Sequence, residues 1–128
     1  MSIREEMLSK KTWAVVGVSG NKYKWGYKIY NILKENDYET FGVSPNYDEL
    51  NGDKIYKTLA DLPKKVDVVD LVVAPKISLG ILDEVKELGI EYIFFQPGTY
   101  NDEVVAKAEE MELKILTGDC IYAILRNK

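Results

Sequence analysis

The feature that most constrains this chain is a rhythm. Short, continuously apolar runs are each followed by a stretch whose apolar residues return at helical spacing. Trp13-Ala14-Val15-Val16-Gly17-Val18 is the first such run. An apolar run this short, without polar alternation, is what a strand buried on both faces requires. Trp25, Ile29, Ile32 and Leu33 then mark one face of a helix. That helix should stop near Asn36-Asp37, because Asn and Asp tolerate the left-handed backbone common at helix ends. Glu39 to Val43 predicts a second strand, closed by Ser44-Pro45-Asn46. Residues 47–62 read as irregular, with one short edge strand over 54–57. Val66 to Ala74 is the strongest strand signal in the chain, and Pro75 ends it. Ile77, Ile81, Val85 and Leu88 set the stripe of the next helix, with Gly89 as its stop. Glu91 to Phe95 predicts a further strand, followed by Gln96-Pro97-Gly98. Asn101 has the character of an N-cap, with Asp102 and Glu103 on the positive end of the helix dipole. Val104, Ala108 and Met111 form that helix's buried stripe, and Lys114 to Leu116 make a last strand. Ahead of all these, Ile3, Met7 and Leu8 predict a short helix against the domain edge.

Alternation of this kind implies right-handed βαβ units and a parallel sheet covered on both sides. The expected fold is α/β, a Rossmann-like doubly wound parallel sheet of about five to six strands in a three-layer α/β/α arrangement. Residues 1–128 read as one domain, with no linker and no repeat. Composition then limits the chemistry. The chain has no histidine, which removes an imidazole base, a Ser-His or Cys-His nucleophile and a histidine metal ligand. Its single cysteine, Cys120, rules out an intrachain disulfide and fits a reducing cytoplasm. No catalytic constellation and no metal site is expected. A formal net charge of -4 speaks against general nucleic-acid binding. Nothing reads as a signal peptide or a membrane span.

In open parallel sheets, ligands bind beyond the carboxyl ends of the strands, near the point where strand order reverses. After the first strand the chain reads Gly17-Val18-Ser19-Gly20-Asn21-Lys22-Tyr23-Lys24-Trp25-Gly26. Glycines there permit a tight turn and close approach of backbone to a phosphate. Ser19 offers a hydroxyl, and the first amides of the following helix attract an anion. Lys22 and Lys24 place positive charge beside that site, with Lys28 on the helix surface. A dinucleotide fold wants Gly-x-Gly-x-x-Gly here and a carboxylate at the end of the second strand. This loop has Gly-x-Ser-Gly, with Gly26 much later, and the strand ends in Ser44-Pro45-Asn46. NAD is therefore disfavoured on two counts. No Walker loop is present, and Asp70 lies inside its strand rather than after it, unlike the acidic cluster of a phosphoacceptor domain.

Taken in order, Val16-Gly17-Val18-Ser19 with distant Gly26, Val43-Ser44-Pro45, Tyr56 to Leu62, Val66 to Asp70, Gln96-Pro97-Gly98 and Asp119-Cys120 form a set. The set resembles the small bacterial and archaeal CoA-binding domain family, related to the amino-terminal CoA-binding domain of the succinyl-CoA synthetase α subunit. The resemblance runs from about Thr12 to Arg126. It implies a Rossmann-type fold that holds coenzyme A or acyl-CoA at the strand ends. By position, the phosphate and pantetheine contacts would involve Gly17, Val18, Ser19, Lys22, Lys24 and Gly26. Adenine and ribose would lie near Ser44, Pro45 and Asn46, and near Ala74, Pro75 and Lys76. Ser44 stands where the family commonly has Asn, and Lys22 and Lys24 replace a loop that often carries Arg and Pro. Asp37 and Glu112 sit where glycine commonly follows a helix.

Gln96, Pro97 and Gly98 are candidates to line the ligand pocket, against a turn role alone. Asp67 and Asp70 read as structural, hydrogen-bonded groups rather than an acid–base pair. Of Tyr23, Tyr27 and Tyr30, at least two should pack rather than touch an adenine ring. Cys120 is expected at the cleft rim, where it could exchange with oxidised CoA to form a mixed disulfide. The function expected is that of a stand-alone accessory or sensing protein for coenzyme A. Two alternatives stay open: an NAD(P)-binding oxidoreductase or partner-dependent acyl-CoA enzyme component, and an interaction module without ligand. Ile121, Ile124 and Leu125, taken as exposed apolar residues, would allow a homodimer.

Overall fold

The computed structural model describes residues 1–126. After a short helix α1 (Ile3–Leu8), the chain runs through β1 (Thr12–Val16), α2 (Trp25–Glu35) and β2 (Glu39–Val43). It continues through β3 (Glu49–Leu50), β4 (Asp53–Tyr56) and a single 3-10 turn (Leu59–Asp61). Then follow β5 (Val68–Leu71), α3 (Pro75–Glu87), β6 (Tyr92–Phe95), α4 (Asp102–Glu110), β7 (Lys114–Leu116) and α5 (Ile121–Leu125). The strands form one sheet in the order β3-β4-β2-β1-β5-β6-β7, parallel throughout except for the β3–β4 pair.

All five residues of β1 are buried, as a continuous apolar run at the centre of the sheet demands. Trp13 and Val15 face one side with Val68, Phe94 and the buried residues of α1, α2 and α5. Ala14 and Val16 face the other with Val69, Leu71 and those of α3 and α4. Large side chains buried completely on both sides, Trp13, Leu33, Phe94 and Leu82 among them, each contribute about 1.5–3 kcal/mol of transfer free energy. The three-layer α/β/α arrangement follows from these two half-cores.

Turn and cap residues behave as their chemistry dictates. Asp37 (φ 67°) and Glu112 (φ 62°) take the left-handed conformation that ends α2 and α4. Asn101 caps α4 by accepting from Val104 N at 2.9 Å, and Ser2 and Glu5 form a capping box on α1.

Five expectations need correction. The sheet has seven strands rather than five to six. The stretch taken as irregular holds a hairpin, because Asn51 (φ 52°) and Gly52 (φ 87°) both take positive φ, the requirement of a type I′ turn. That turn folds β3 onto β4, so β4 is interior and not the edge. The strand expected over 66–74 is confined to Val68–Leu71, although Val72 N still donates to Val16 O at 2.9 Å. The stripe of α3 is rotated: Ser78, Leu82 and Val85 are buried, while Ile77 stands outside the core. Finally, Ile121 and Leu125 are buried and Ile124 packs against the same half-core. The apolar carboxyl end therefore serves the monomer's own core, which removes the ground on which a homodimer was expected.

Candidate functional site

The strand order turns at β1, which has β2 on one side and β5 on the other. A cleft of about 1010 Å³ opens there, lined by the segments that follow β1, β2, β4 and β5 and by one face of α3. Its size is at the upper end of what small-molecule sites show.

Two glycines set its shape. Gly17 has φ 105°, and a Cβ on it would lie 2.3 Å from Val72 O. A Cβ on Gly26 would lie 2.1 Å from Gly17 O and 3.1 Å from Ser19 N. The loop after β1 is thus pressed against the first turn of α2, backbone on backbone. The N-cap of α2 is Lys24, and no side chain caps the helix. Its free first amides and the positive end of its dipole are therefore left for a ligand, which is the disposition that suits an anion. Helix α3 also begins at the strand ends without a side-chain cap, with Pro75 in its first turn.

Side chains around the cleft hold the loops rather than fill the space. Ser19 is buried; its Oγ accepts from Asn21 N at 3.0 Å and lies 3.4 Å from the Tyr47 hydroxyl, either of which can donate. Ser19, the Gly20 backbone and the Lys24 charge, in that order, draw the Tyr47 phenol below its ordinary pKa. Ser44 is buried, donating its amide to Tyr56 O at 2.9 Å and accepting from Asn46 N at 3.1 Å. Lys57 Nζ donates to Pro45 O and Tyr47 O, both at 3.3 Å, and pairs with Asp48 at 2.8 Å. Glu84 accepts from Leu59 N at 3.2 Å. Tyr23 (81% exposed), Trp25 (53%) and Ile77 (54%) are large apolar side chains left outside the core, and all three line this cleft. Trp25 is steadied by the Tyr122 ring (centroids 5.6 Å apart) and by Lys28, whose Nζ stands 4.7 Å from the indole centroid.

A second chamber of about 460 Å³ adjoins the cleft, with Trp25, Val72 and Val73 lining both. Gln96 is buried in its wall. Its amide donates to Asp70 Oδ1 at 2.6 Å and its oxygen accepts from Ile121 N at 3.3 Å, which ties β5 and β6 to the start of α5. Asp70 is wholly buried. Burial pushes its carboxyl well above the usual range, an effect that the Gln96 amide only partly offsets. Its Oδ2 has no hydrogen-bond partner.

Of the residues singled out in the sequence, Gly17, Val18, Ser19, Lys24, Gly26, Ser44, Pro45 and Asn46 lie together on the cleft. Gln96, Pro97, Gly98 and Cys120 lie together on the chamber. Lys22 is exposed and lines neither. Ala74, Pro75 and Lys76 also line neither; they open α3, and it is Ile77 and Ile81 further along that face the cleft. Tyr47, Lys57, Thr58 and Glu84 were not foreseen as lining residues. Lys57 and Thr58 follow β4, so an interior β4, signalled by Asn51-Gly52, would have placed them. Tyr27 and Tyr30 pack, Tyr30 donating to Asp53 Oδ2 at 3.0 Å. Asp67 accepts from Thr12 N at 3.3 Å, a structural role. Among the described residues, no group of three or more His, Cys, Asp or Glu is placed to hold a metal ion, and no helix is long and apolar enough to cross a membrane.

Comparison with known proteins gives this geometry a family. The model of the CoA binding domain matches residues 11–126. The acetate–CoA ligase (ADP-forming) of Methanocaldococcus jannaschii is 28% identical over 119 residues, which cover 87% of this chain and 17% of that protein. Among solved structures, a hypothetical protein from Pyrococcus horikoshii is 33% identical with a TM-score of 0.90, covering 98% of this chain and 88% of the other. A conserved hypothetical protein from Pyrococcus furiosus is 37% identical with a TM-score of 0.85, covering 89% and 98%. The chain spans about a fifth of the length of the curated ligases it resembles. It belongs to the CoA-binding domain family.

Proposed function

We propose that this CoA-binding domain, residues 1–128, holds coenzyme A or an acyl-CoA across the carboxyl ends of its strands and acts as a stand-alone accessory or sensing protein. One observation carries the proposal: the uncapped start of α2, pressed against Gly17 through Gly26, beside Lys24. A cradle that a single Cβ would fill, next to free amides and an ammonium group, suits the diphosphate of the cofactor. Lys24, the loop from Gly17 to Ser19 and the α2 amides would hold the phosphates. Ser44, Pro45 and Asn46, with Tyr47 and Lys57 beside them, would receive the adenosine. The cofactor supplies a thiol that carries acyl groups; these residues bind and orient it.

Thermal unfolding of the protein with CoA, acetyl-CoA, NAD, NADP and ATP tests this. A ligand at about a hundred times its Kd stabilises by about 2.7 kcal/mol. Stabilisation by CoA and acetyl-CoA alone is the expected result. Stabilisation by NAD or NADP and not by CoA would overturn the proposal, and a response to none of them would leave the interaction module. A second reading is a component of a larger acyl-CoA enzyme. It is favoured by the relatives in which this domain is a small part of a ligase, and by the exposed apolar rim of Tyr23, Trp25 and Ile77. Acyl-CoA formation appearing only on addition of a partner would establish it.

A further inference from the structure

Next to the cleft, the chamber under Trp25 differs from it in chemistry. The cleft has lysines and an uncapped helix start on its lining. Gln96 and Thr99, two of the polar side chains in the chamber wall, are already engaged with the protein. Gln96 is held at both ends, its nitrogen on Asp70 and its oxygen on Ile121 N. The Thr99 hydroxyl donates to Gln96 O at 2.6 Å, and Thr99 N donates to the same oxygen at 3.2 Å. Pro97 has no amide hydrogen to offer. Arg126 is exposed and stands 5.9 Å from the Tyr122 ring centroid, over its face. What remains turned to the cavity is mainly hydrocarbon and aromatic surface, from Ile29, Val72, Val73, Trp25 and Tyr122.

An occupant with its own amides and hydroxyls would lose hydrogen bonds to water here and find few in return, because the wall is mainly apolar and Gln96 and Thr99 are engaged. The pantetheine arm, which carries two amides and a hydroxyl, is therefore a poor fit. A hydrocarbon chain loses nothing. Position agrees. With the phosphates on the loop after β1 and the adenosine on the β2 and β4 side, the thiol end is directed to the opposite side, towards β5 and β6. The chamber lies on that side and shares a wall with the cleft.

We propose that the chamber between α2, α5 and the ends of β5 and β6 receives the apolar acyl group of an acyl-CoA, with Trp25 as the partition between cofactor cleft and acyl chamber. The inference rests on the CoA reading of the cleft. Asp70 acts as a positioning residue: by fixing the Gln96 amide it keeps that polar group out of the acyl space.

Calorimetry with CoA, acetyl-CoA, butyryl-CoA and hexanoyl-CoA tests this on the wild-type protein. Affinity should rise about three- to fourfold for each methylene that the chamber buries. Hexanoyl-CoA, with four methylenes, should then bind roughly a hundredfold more tightly than acetyl-CoA if the chamber buries them all, and about tenfold if it buries two. Cys120 gives a local readout, since it is the only cysteine and lines the chamber. Its alkylation by N-ethylmaleimide, followed by intact mass, should be slowed far more by saturating hexanoyl-CoA than by saturating acetyl-CoA. CoA bound with no gain from the longer chains would overturn the acyl chamber and leave the CoA reading intact. A gain in affinity without protection of Cys120 places the chain elsewhere and also overturns it. If neither CoA nor any acyl-CoA binds, the reading of the cleft fails and the chamber falls with it.

Discussion

The segments after β1 and after β6 occupy equivalent places, since each leaves a parallel strand at its carboxyl end and leads into a helix. Their hydrogen bonding is opposite. After β6, Thr99 closes onto Gln96 O, Gln96 bridges Asp70 and Ile121, and Asn101 caps α4. After β1, the helix begins at Lys24 with no side-chain cap, and Gly17 and Gly26 press bare backbone together. After β6 the polar groups, the helix cap included, are turned in on the protein; after β1, Ser19 and Asn21 hold the loop but the helix start is left without a side-chain cap. A binding surface on this fold is where local hydrogen bonding stops short. Where it is complete, the neighbouring cavity is left apolar.

The sharpest way to break this contrast is at Gly26. In Gly26→Ala the new Cβ meets Gly17 O at 2.1 Å, and since both are backbone-anchored, the loop or the helix must shift. Losing one charge-assisted hydrogen bond to the ligand costs roughly ten- to a hundredfold in affinity. Titration calorimetry should show CoA affinity reduced by about that factor, with far-UV circular dichroism confirming a folded chain. Unchanged affinity would mean that the close approach has nothing to do with the ligand.

On the closed side, Asp70 should control stability rather than affinity for the phosphates. Its folded pKa is raised by burial above the unfolded value of 3.8. The folded state therefore binds the extra proton, and stability from this group is fully present below the unfolded pKa and lost as pH rises through the folded one. Asp70→Asn keeps an acceptor for Gln96 and cannot ionise. The Tm difference between variant and wild type should be small near pH 4 and grow in favour of Asn as pH rises. A difference that does not change with pH would show that the carboxyl titrates alike in the folded and unfolded chain, so that burial does not raise its pKa. Smaller effects belong to the cradle's side chains. Ser19→Ala and Lys24→Ala should each weaken CoA by about tenfold without unfolding the domain. The Lys24 effect should shrink at high salt because the residue is exposed to solvent.

The contrast was only half legible in the sequence, and the reason is physical. Burial on both faces made β1, β5 and β6 readable as apolar runs, and Asn101 and Asp37 announced their own roles because capping and left-handed turns depend on single residues. Periodicity in α3, however, shows that a stripe is apolar and not what covers it. Ile77 and Ile81 face a cleft while Ser78 is buried. The same limit misled the reading of Ile121 and Leu125, which fill the core against α2. Tyr47, Lys57 and Glu84 come from separate segments that only the β2–β4 pairing and the packing of α3 bring together. The glycines of the cleft were visible as residues, but the contact between Gly17 and Gly26 was not.

The smallest expected effect tests the contrast from its quiet side. Asn101 caps α4 by accepting from Val104 N, and Asn101→Ala should cost about 1 kcal/mol of stability by denaturant unfolding. Because α4 receives its cap from the chain itself, no ligand is needed to complete it, so CoA affinity should stay within about twofold of wild type, well inside the tenfold of a lost ligand contact. Helix α2 has no such side-chain cap to lose. Loss of stability with affinity kept would therefore assign the two helix starts to different work. A parallel fall in CoA affinity would instead join the segment after β6 to the phosphate cradle, and the division of the strand ends into an open and a closed side would not hold.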